Sequence, residues 1–336
     1  MNHPNPGRNL AMDLVRATEA GALGALKHIG RGDKNAADDA AVKAMRAALN
    51  KMPLDGIVVI GEGEKDEAPM LANGESVGVS GSGPLVDIAV DPIDGTTIAS
   101  EGGPGAISVI AASSRGTMFD PGPIVYMEKT VVGPRSSKSF DPEAPLSEQI
   151  KIVASSLGKE TSEMMVAILR RERHTSLIAA VRATGARVRL FGDGDVAMAI
   201  ATSLPGTDVD MLIGIGGTPE GVITAAALKC LGGSIYGKLY ARDSTERAMA
   251  TEQGYDLNKL LDTNSLVRGD NCFFAATGIT SGEFLEGTQY LGATEGYPIE
   301  HHIRTSSVAY RSITSTVREI RTTHNLTKMQ ALGISI

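Results

Sequence analysis

The sequence predicts a mixed α/β protein, and three observations support that fold class. The chain has 336 residues, more than a single core usually holds, so two lobes or one large α/β unit are expected. Short apolar, β-prone runs alternate with segments of helical periodicity. Residues 186–204 and 210–231 each follow the order strand, glycine-rich loop, helix, an arrangement in which ligands bind beyond the strand ends. Neither loop has the fingerprint G-x-G-x-x-G, which argues against a dinucleotide-dependent oxidoreductase.

The composition restricts the class of protein further. Hydrophobic residues make up 42% and charged residues 21% of the chain, as in ordinary globular proteins. The net charge of −7 argues against a nucleic-acid-binding surface, which needs surplus Lys and Arg. Cys230 and Cys272 lie in apolar settings without zinc-ligand spacing, so we expect small core residues in a reducing compartment rather than a disulfide. Since no signal segment and no apolar run of membrane-spanning length is evident, we expect a cytoplasmic protein without a membrane partner.

The chain is predicted to begin with two helices. Residues 1–8 contain two prolines and a glycine and are expected to form a loose, disordered tail. Residues 9–29 place apolar side chains on one helical face, and a second helix follows the polar turn at 31–35. Asp38 lies near the start of this second helix, where negative charge favours the dipole, so on its own it is interpreted as a helix-stabilising residue.

Two strands that end in acidic residues follow. Residues 56–61 form a short apolar run, and the next six residues include Glu62 and Asp66. A solvated loop is the usual explanation of such an acidic segment. Its position directly after a strand is instead the first indication of an acidic cleft.

The second of these strands, residues 84–90, leads into Asp91 and Asp94. Carboxylates at the exit of a strand suit Mg²⁺ or Mn²⁺, which prefer oxygen ligands. Gly95 allows the backbone to approach a ligand closely, and the amides that open a following helix can donate to phosphate oxygens. An Asx-type turn with Asp94-Gly95 at its tip is the alternative interpretation.

The later elements are predicted from the same patterns. Strands are expected at 106–112, 124–127, 186–191, 210–214, 272–277 and, as late strands, within 306–320. Helices are expected at 148–157, 160–170, 196–204 and 222–231. Residues 133–145 contain three prolines and several serines and are the candidate connection between two lobes.

Acidic side chains recur in loops next to these elements: Asp38, Glu62, Asp66, Asp91, Asp94 and Glu220. If they converge in one cleft, they repel one another unless cations neutralise them. Bound Mg²⁺ or Mn²⁺ would polarise a phosphoryl group and lower the pKa of a bound water, which is metal-assisted hydrolysis of a phosphate ester. The cationic run at residues 170–174 could bind a phosphate, although a solvated helix end explains it equally well.

Residues 91–96, Asp-Pro-Ile-Asp-Gly-Thr, match the D-P-[IL]-[DE]-G-[ST] signature of the lithium-sensitive, metal-dependent phosphatases, which include inositol monophosphatases and fructose bisphosphatases. More narrowly, the chain resembles the bacterial class II fructose-1,6-bisphosphatases. The supporting strings, in collinear order, are Gly-Arg-Gly-Asp-Lys-Asn at 30–35, Val-Ile-Gly-Glu-Gly-Glu at 59–64, Asp-Glu-Ala-Pro-Met at 66–70, Asp-Gly-Asp-Val-Ala at 193–197 and Gly-Ile-Gly-Gly-Thr-Pro-Glu-Gly at 214–221. The similarity runs from about Asn9 to the last 30 or so residues.

The resemblance implies a layered α-β-α-β-α fold with two lobes and the active site between them. Residues 9–140 would form a metal-binding lobe, and residues 141–336 a sugar-phosphate lobe that includes the late strands. The implied activity is hydrolysis of the 1-phosphate of fructose 1,6-bisphosphate in gluconeogenesis, with Mg²⁺ or Mn²⁺ as cofactor. The resemblance also implies a homo-oligomer, either a dimer or a tetramer.

The resemblance also implies site residues. The metal ligands would be Asp38, Glu62, Asp91, Asp94 and Glu220. The sugar bisphosphate would contact Asp94, Gly95, Thr96, Tyr126, Arg171, Glu172, Arg173, Asp193, Gly194, Asp195 and Gly217. Thr96, Asp66 and Lys34 would be catalytic, with Thr96 or Asp66 orienting the attacking water.

The chain departs from the family pattern at two of these positions. Asp94 stands where the class often has Glu, and Glu172 stands where many relatives have Pro, so an acid lies within the proposed phosphate clamp. Rival functions are a sedoheptulose-1,7-bisphosphatase, a dual-specificity bisphosphatase, an inositol-type monophosphatase and a non-catalytic sugar-phosphate sensor. The basic run at 170–173 favours a substrate with two phosphates, and the five acids at the metal positions argue against a sensor.

Overall fold

The computed structural model describes residues 9–62, 64–65, 68–291, 302–313 and 318–325, together with 327 and 329. The helices are α1 (Leu10–Leu26), α2 (Lys34–Leu49), α3 (Thr96–Glu101), α4 (Leu146–Leu157), α5 (Thr175–Ala183), α6 (Asp195–Ala201), α7 (Thr218–Leu231), α8 (Ser244–Glu252) and α9 (Thr263–Leu266), with 3₁₀ turns at Thr161–Glu163 and Glu172–His174. The strands are β1 (Asp55–Ile60), β2 (Glu64–Lys65), β3 (Ala68–Pro69), β4 (Ser76–Val77), β5 (Leu85–Asp94), β6 (Ile107–Ser114), β7 (Tyr126–Val132), β8 (Met165–Leu169), β9 (Arg187–Phe191), β10 (Met211–Gly217), β11 (Ser234–Tyr240), β12 (Leu261–Asp262), β13 (Phe273–Gly278), β14 (Gln289–Tyr290), β15 (His302–Arg311) and β16 (Arg318–Asn325).

The strands form two mixed sheets and a small β2–β3 hairpin. The first sheet has the order β14-β15-β13-β6-β5-β1-β4, with β16 also paired to β15, and its parallel pair is β1 with β5. The second sheet has the order β12-β11-β7-β10-β8-β9, and β8 runs parallel to both of its neighbours. The chain therefore enters the second sheet at β7 and returns to the first at β13. The lobe boundary near residue 140 stays a prediction.

The helices and sheets stack in five layers. Helices α1 and α2 cover the outer face of the first sheet through an apolar cluster that includes Leu14, Met45 and Ile88. Helices α6 and α7 lie between the two sheets in one continuous core. Helices α4 and α5 cover the outer face of the second sheet. This is the α-β-α-β-α order expected from the family resemblance, and the prediction of a mixed α/β fold is confirmed.

One predicted helix is wrong. Residues 160–170 contain a short 3₁₀ turn and then β8, which lies between β9 and β10 in the second sheet. All five residues of β8 are apolar and four are buried, because both faces of this sheet are covered by helices. A continuous apolar run of this kind has no period that distinguishes a strand from a helix. Helix α5 and strand β11 lie in segments for which no element was predicted.

Two smaller expectations concern the ends and the cysteines. The predicted tail, residues 1–8, lies outside the described residues. Cys230 and Cys272 are buried free thiols whose Sγ atoms are 3.9 Å apart in the core between the sheets. The prediction of core cysteines rather than a disulfide is confirmed. Of the helices described, none combines the length and the apolar character needed to cross a bilayer.

Candidate active site

The turn at the end of β5 is shaped by its own side chains. The register with β6 shifts between Asp91 and Asp94, so the strand bulges where the carboxylates lie. Asp91 Oδ1 accepts a hydrogen bond from the Ile93 amide at 3.0 Å, which forms an Asx turn at Asp91 and not at the Asp94-Gly95 pair considered from the sequence. Gly95 has a φ of +95°, a conformation that favours glycine, and Thr96 then begins α3. The Thr96 hydroxyl donates to the Ile93 carbonyl at 3.1 Å.

Asp94 joins this turn to the helix between the sheets. Its Oδ2 accepts hydrogen bonds from the amides of Val196 and Ala197, both at 3.1 Å, at the start of α6. In the opposite direction, Asp193 Oδ2 accepts from the Thr97 amide at 3.1 Å. The loop that precedes α6 and the turn that precedes α3 are therefore bonded to each other reciprocally. This pairing brings the two predicted loops together.

Glu220 approaches the same point from the second sheet. It lies in the first turn of α7, directly after β10, and its side chain folds back over Gly217. A Cβ at Gly217 would lie 1.7 Å from Glu220 Oε2, so a larger residue there would displace the Glu220 carboxylate. Oε2 is buried and has no hydrogen-bond partner among the described residues. Beneath it, the buried Lys129 Nζ contacts Asp195 Oδ2 at 2.8 Å and donates to the Gly217 carbonyl at 3.1 Å.

These turns surround one cavity of about 420 Å³ between the strand ends of the two sheets. Of the predicted site residues, Glu62, Asp91, Asp94, Gly95, Thr96, Tyr126, Arg171, Arg173, Asp193, Asp195, Gly217 and Glu220 line it. Arg242, which no sequence motif marked as a site residue, lines it as well. The acidic and cationic motifs therefore share a single cavity.

The carboxylates of the cavity are electrostatically unfavourable in the absence of a counter-ion. Burial, followed by the charges of Glu62, Asp94 and Glu220, raises the pKa of Asp91 well above its usual range. Burial and the neighbouring Asp195 raise the pKa of Asp94 in the same way. Burial also raises the pKa of Glu220, against the opposing effect of Lys129. A bound cation would relieve this repulsion.

Backbone carbonyls hold the two arginine side chains that line the cationic side of the cavity. Arg171 Nη1 donates to the Gly192 carbonyl at 2.7 Å, and Arg173 Nη2 donates to the Ile215 carbonyl at 2.7 Å. The guanidinium carbon of Arg173 lies 5.1 Å from the centroid of the Tyr126 ring, within cation–π range.

His174 connects the arginine segment to β10. Because the Ile215 amide donates to Nε2 at 2.8 Å, Nδ1 carries the ring proton and donates to the Leu169 carbonyl at 2.7 Å. Gly214, with a φ of +145°, leaves room for this ring, since a Cβ there would lie 3.1 Å from it. The buried imidazole thus fixes the segment that directly follows β8, which contains Arg171 and Arg173.

Comparison with known proteins identifies the family. The sequence matches the family described as "Bacterial fructose-1,6-bisphosphatase, glpX-encoded" over residues 8–324. It is 43% identical over 332 residues to "Fructose-1,6-bisphosphatase 1 class 2" of Escherichia coli strain K12, covering 95% of this chain and 96% of that protein. The protein "Fructose-1,6-bisphosphatase class 2" of Shigella flexneri matches with the same identity and coverage. The chain belongs to the class II fructose-1,6-bisphosphatases.

Membership of this family confirms the predicted resemblance and makes the chain a phosphatase. Among solved structures, the extragenic suppressor protein SuhB from Bartonella henselae is 17% identical, with a TM-score of 0.33 over 59% of this chain and 74% of that one. That likeness is too weak to define the fold.

Some residues implied by the family resemblance do not line the cavity. Lys34 Nζ donates to the Thr97 hydroxyl at 2.8 Å, so it contacts α3, the helix that follows the Asp94 turn. Asp38 follows one helical turn later on α2. Glu172 is exposed in a 3₁₀ turn, which moves the acid that departs from the family pattern away from the cavity wall. Gly194 caps α6 and faces a neighbouring cavity, and Asp66 lies outside the described residues. The roles of all five stay predictions.

The donor set suits the divalent cation expected for this class II enzyme. Its acids supply only oxygen ligands, and the buried Glu220 Oε2 lacks a partner in the described part of the chain. Within that part, no group of three or more His, Cys, Asp or Glu side chains is spaced to hold a metal ion directly.

Three contributors to the site escaped the sequence-based prediction: Lys129, His174 and Arg242. Lys129 interrupts the apolar pattern of β7, which is a signal that a buried partner is needed. His174 was grouped with the cationic run, where its role as a buried connector had no separate signal. Arg242 follows a strand that was not predicted, so its position at a strand end could not be recognised.

Proposed function

We propose that this protein hydrolyses the 1-phosphate of fructose 1,6-bisphosphate, giving fructose 6-phosphate and inorganic phosphate. One observation carries the proposal: a single cavity holds the clustered carboxylates of a cation site together with arginine and tyrosine side chains that suit a second phosphate. The names of the bacterial relatives support the same substrate.

The carboxylates would provide the cofactor site. Glu62, Asp91, Asp94 and Glu220, with Asp38 nearby on α2, would hold Mg²⁺ or Mn²⁺, which when bound polarises the phosphoryl group and lowers the pKa of water. We infer this ligand set from the family resemblance and from the shared cavity of four of its members.

The remaining residues would orient the reactants. The amides of Gly95 and Thr96 would donate to the oxygens of the 1-phosphate, where charge develops during in-line attack. Thr96 or Asp66 would orient the attacking water, and Lys34 would hold the α3 turn through Thr97. Asp193, Gly194, Asp195 and Gly217 would contact the sugar.

Arg171 and Arg173 would bind the phosphate that is not transferred, together with Tyr126. Their guanidinium groups donate to backbone carbonyls, which are neutral. These contacts therefore do not offset the positive charge that would attract an anion. The exposed Glu172 would lower the affinity of this clamp only weakly, because an exposed charge is screened by water and salt.

We further infer a cytoplasmic, homo-oligomeric enzyme of gluconeogenesis, a dimer or tetramer, that acts on a small sugar bisphosphate and binds neither nucleic acid nor membranes. The net charge of −7 supports the exclusion of nucleic acid. The division into a metal-binding lobe and a sugar-phosphate lobe belongs to the same proposal.

The decisive experiment measures phosphate release by the purified protein with Mg²⁺ or Mn²⁺. Fructose 1,6-bisphosphate, sedoheptulose 1,7-bisphosphate and inositol 1-phosphate are offered in parallel. We expect release from fructose 1,6-bisphosphate, and comparable release from the sedoheptulose ester would indicate a dual-specificity enzyme. Release from inositol 1-phosphate alone, or no release above a metal-free control, would contradict the proposal.

Two variants test the site itself. Glu62→Gln and Asp91→Asn should abolish phosphate release while leaving the fold intact, because each removes a charged oxygen donor. Glu143→Gln makes the same chemical change at an exposed position that does not line the cavity, and this variant should release phosphate at the normal rate. Near-normal turnover in both site variants would rule out the assigned ligands.

A further inference from the structure

We propose that Arg242 is a further specificity-determining residue, which binds the non-transferred phosphate together with Arg173 and Tyr126. The inference rests on the proposed function and adds to it a residue that neither the sequence motifs nor the family resemblance supplied. Arg242 follows β11 and lies in the turn before α8, far in sequence from the arginines at 171 and 173. All three arginines line the same cavity.

The first argument is the shared aromatic ring. The guanidinium carbon of Arg242 lies 5.6 Å from the centroid of the Tyr126 ring, and that of Arg173 lies 5.1 Å from the same centroid. Both distances are within cation–π range. A ring that contacts two cations brings like charges together, and since Glu246 pairs, among the described residues, with Arg242 alone, an additional anion between the two guanidinium groups would be favourable. A phosphate group of the substrate is the anion that fits this arrangement.

The second argument is that the orientation of Arg242 is fixed in advance. Its Nε donates to Glu246 Oε1 at 2.7 Å, its Nη2 also donates to that oxygen, and its backbone amide donates to Oε2 at 2.8 Å. Glu246 is itself positioned by Asp243, which accepts a hydrogen bond from the Glu246 amide at 2.9 Å at the start of α8. Nη1 lies outside this pair, and the side chain of Arg242 remains 56% exposed. The guanidinium is therefore both held and accessible.

A structural brace between the β11 turn and α8 is the competing explanation. It accounts for the contacts with Glu246, but it requires neither the Tyr126 contact nor the exposure of the guanidinium to the cavity. The two explanations differ in their consequences. A phosphate ligand discriminates between substrates with and without the second phosphate, whereas a brace affects all substrates equally.

The test compares fructose 1,6-bisphosphate with fructose 1-phosphate, which retains the reacting phosphate and lacks the second one. In Arg242→Gln we expect kcat/KM for the bisphosphate to fall about 10- to 100-fold, mainly through KM, as for loss of a hydrogen bond to a charged group. The value for fructose 1-phosphate should change less than about 3-fold. Arg242→Lys should recover part of the loss, since Lys keeps the charge but not the planar fork. Arg247→Gln, on the exposed surface of α8, is the matched control.

The outcomes separate the inference from the proposed function. If the unmodified protein releases no phosphate from either ester, the proposed function fails. If it is active and Arg242→Gln leaves the ratio of the two kcat/KM values unchanged, the inference is overturned. An equal loss on both substrates, together with a melting temperature well below that of Arg247→Gln, assigns the residue to the brace and also overturns it.

Discussion

Replacing Lys129 with Met should destabilise the protein strongly. The ammonium group lies in the middle of β7 with only 3% of the side chain exposed, and it pairs with Asp195 Oδ2 at 2.8 Å. Met has a similar length and keeps the apolar stem packed. The variant therefore removes the charge and leaves the rest of the local volume filled.

The size of the expected loss in stability follows from the Asp195 charge that stays buried after the substitution. Breaking a buried ion pair by removing one partner typically costs about 3–5 kcal/mol, because the other charge stays buried without compensation. Here Asp195, whose side chain is 10% exposed, would be left beside Asp94 and Glu220, whose pKa values its charge already raises. We expect a loss of about 3–5 kcal/mol in the free energy of unfolding.

Urea unfolding of the metal-free protein at neutral pH measures this loss. In the double variant Lys129→Met/Asp195→Asn most of the stability should return, since the carboxylate that paired with Lys129 is no longer charged. Lys159→Met is the matched control, because Lys159 pairs with Asp210 at 2.6 Å but has 32% of its side chain exposed. That change should cost about 1 kcal/mol or less. If Lys129→Met costs no more than Lys159→Met, the reasoning from burial is wrong.

Three further predictions concern the same cavity. The raised pKa of Asp91 means that the folded state disfavours its charged form, so stability of the metal-free protein should fall as the pH rises from about 4 through the raised value. Asp91→Asn should flatten this slope and raise the melting temperature at neutral pH, and an unchanged melting curve would contradict the assignment. Gly214→Ala forces a side chain into a φ of +145° against His174 and should cost about 1–3 kcal/mol in urea unfolding. His174→Phe leaves the Ile215 amide and the Leu169 carbonyl without their partner and should raise KM as the arginine segment shifts; an unaltered KM would show that the imidazole does not position it.

The acidic half of the site was predictable because its signals are local. Glu62, Asp91 and Glu220 each lie within a few residues of a strand end, and glycines within four residues of each mark turns. Ligands bind beyond the ends of strands in α/β proteins, so carboxylates at strand ends can be expected to share one cavity before the order of the strands is known. The structure brings all three to one cavity.

The cationic half was only partly predictable, because its geometry depends on sheet order. The segment at 165–169 was expected to be helical, and only as a strand does it deliver Arg171 and Arg173 to the cavity. Strand β11, which leads to Arg242, has glycine, lysine and serine among its apolar residues, and this weakens its pattern. Its pairing with β7 is a long-range contact, and no local sequence signal specifies it.

Asp94 shows why spacing alone could not define the site. The family resemblance treated it as a metal ligand next to a phosphate-binding turn, and its identity as Asp rather than Glu was a departure without a structural reason. In the fold, Oδ2 accepts from two amides at the start of α6, so this carboxylate joins the first sheet to the helix layer between the two sheets. Only Oδ1 lies outside these bonds. A longer side chain would have to withdraw from the α6 amides or displace the bulge of β5. The shorter residue is thus suited to a connection between the layers, and ligation by Oδ1 would add to that structural role without replacing it.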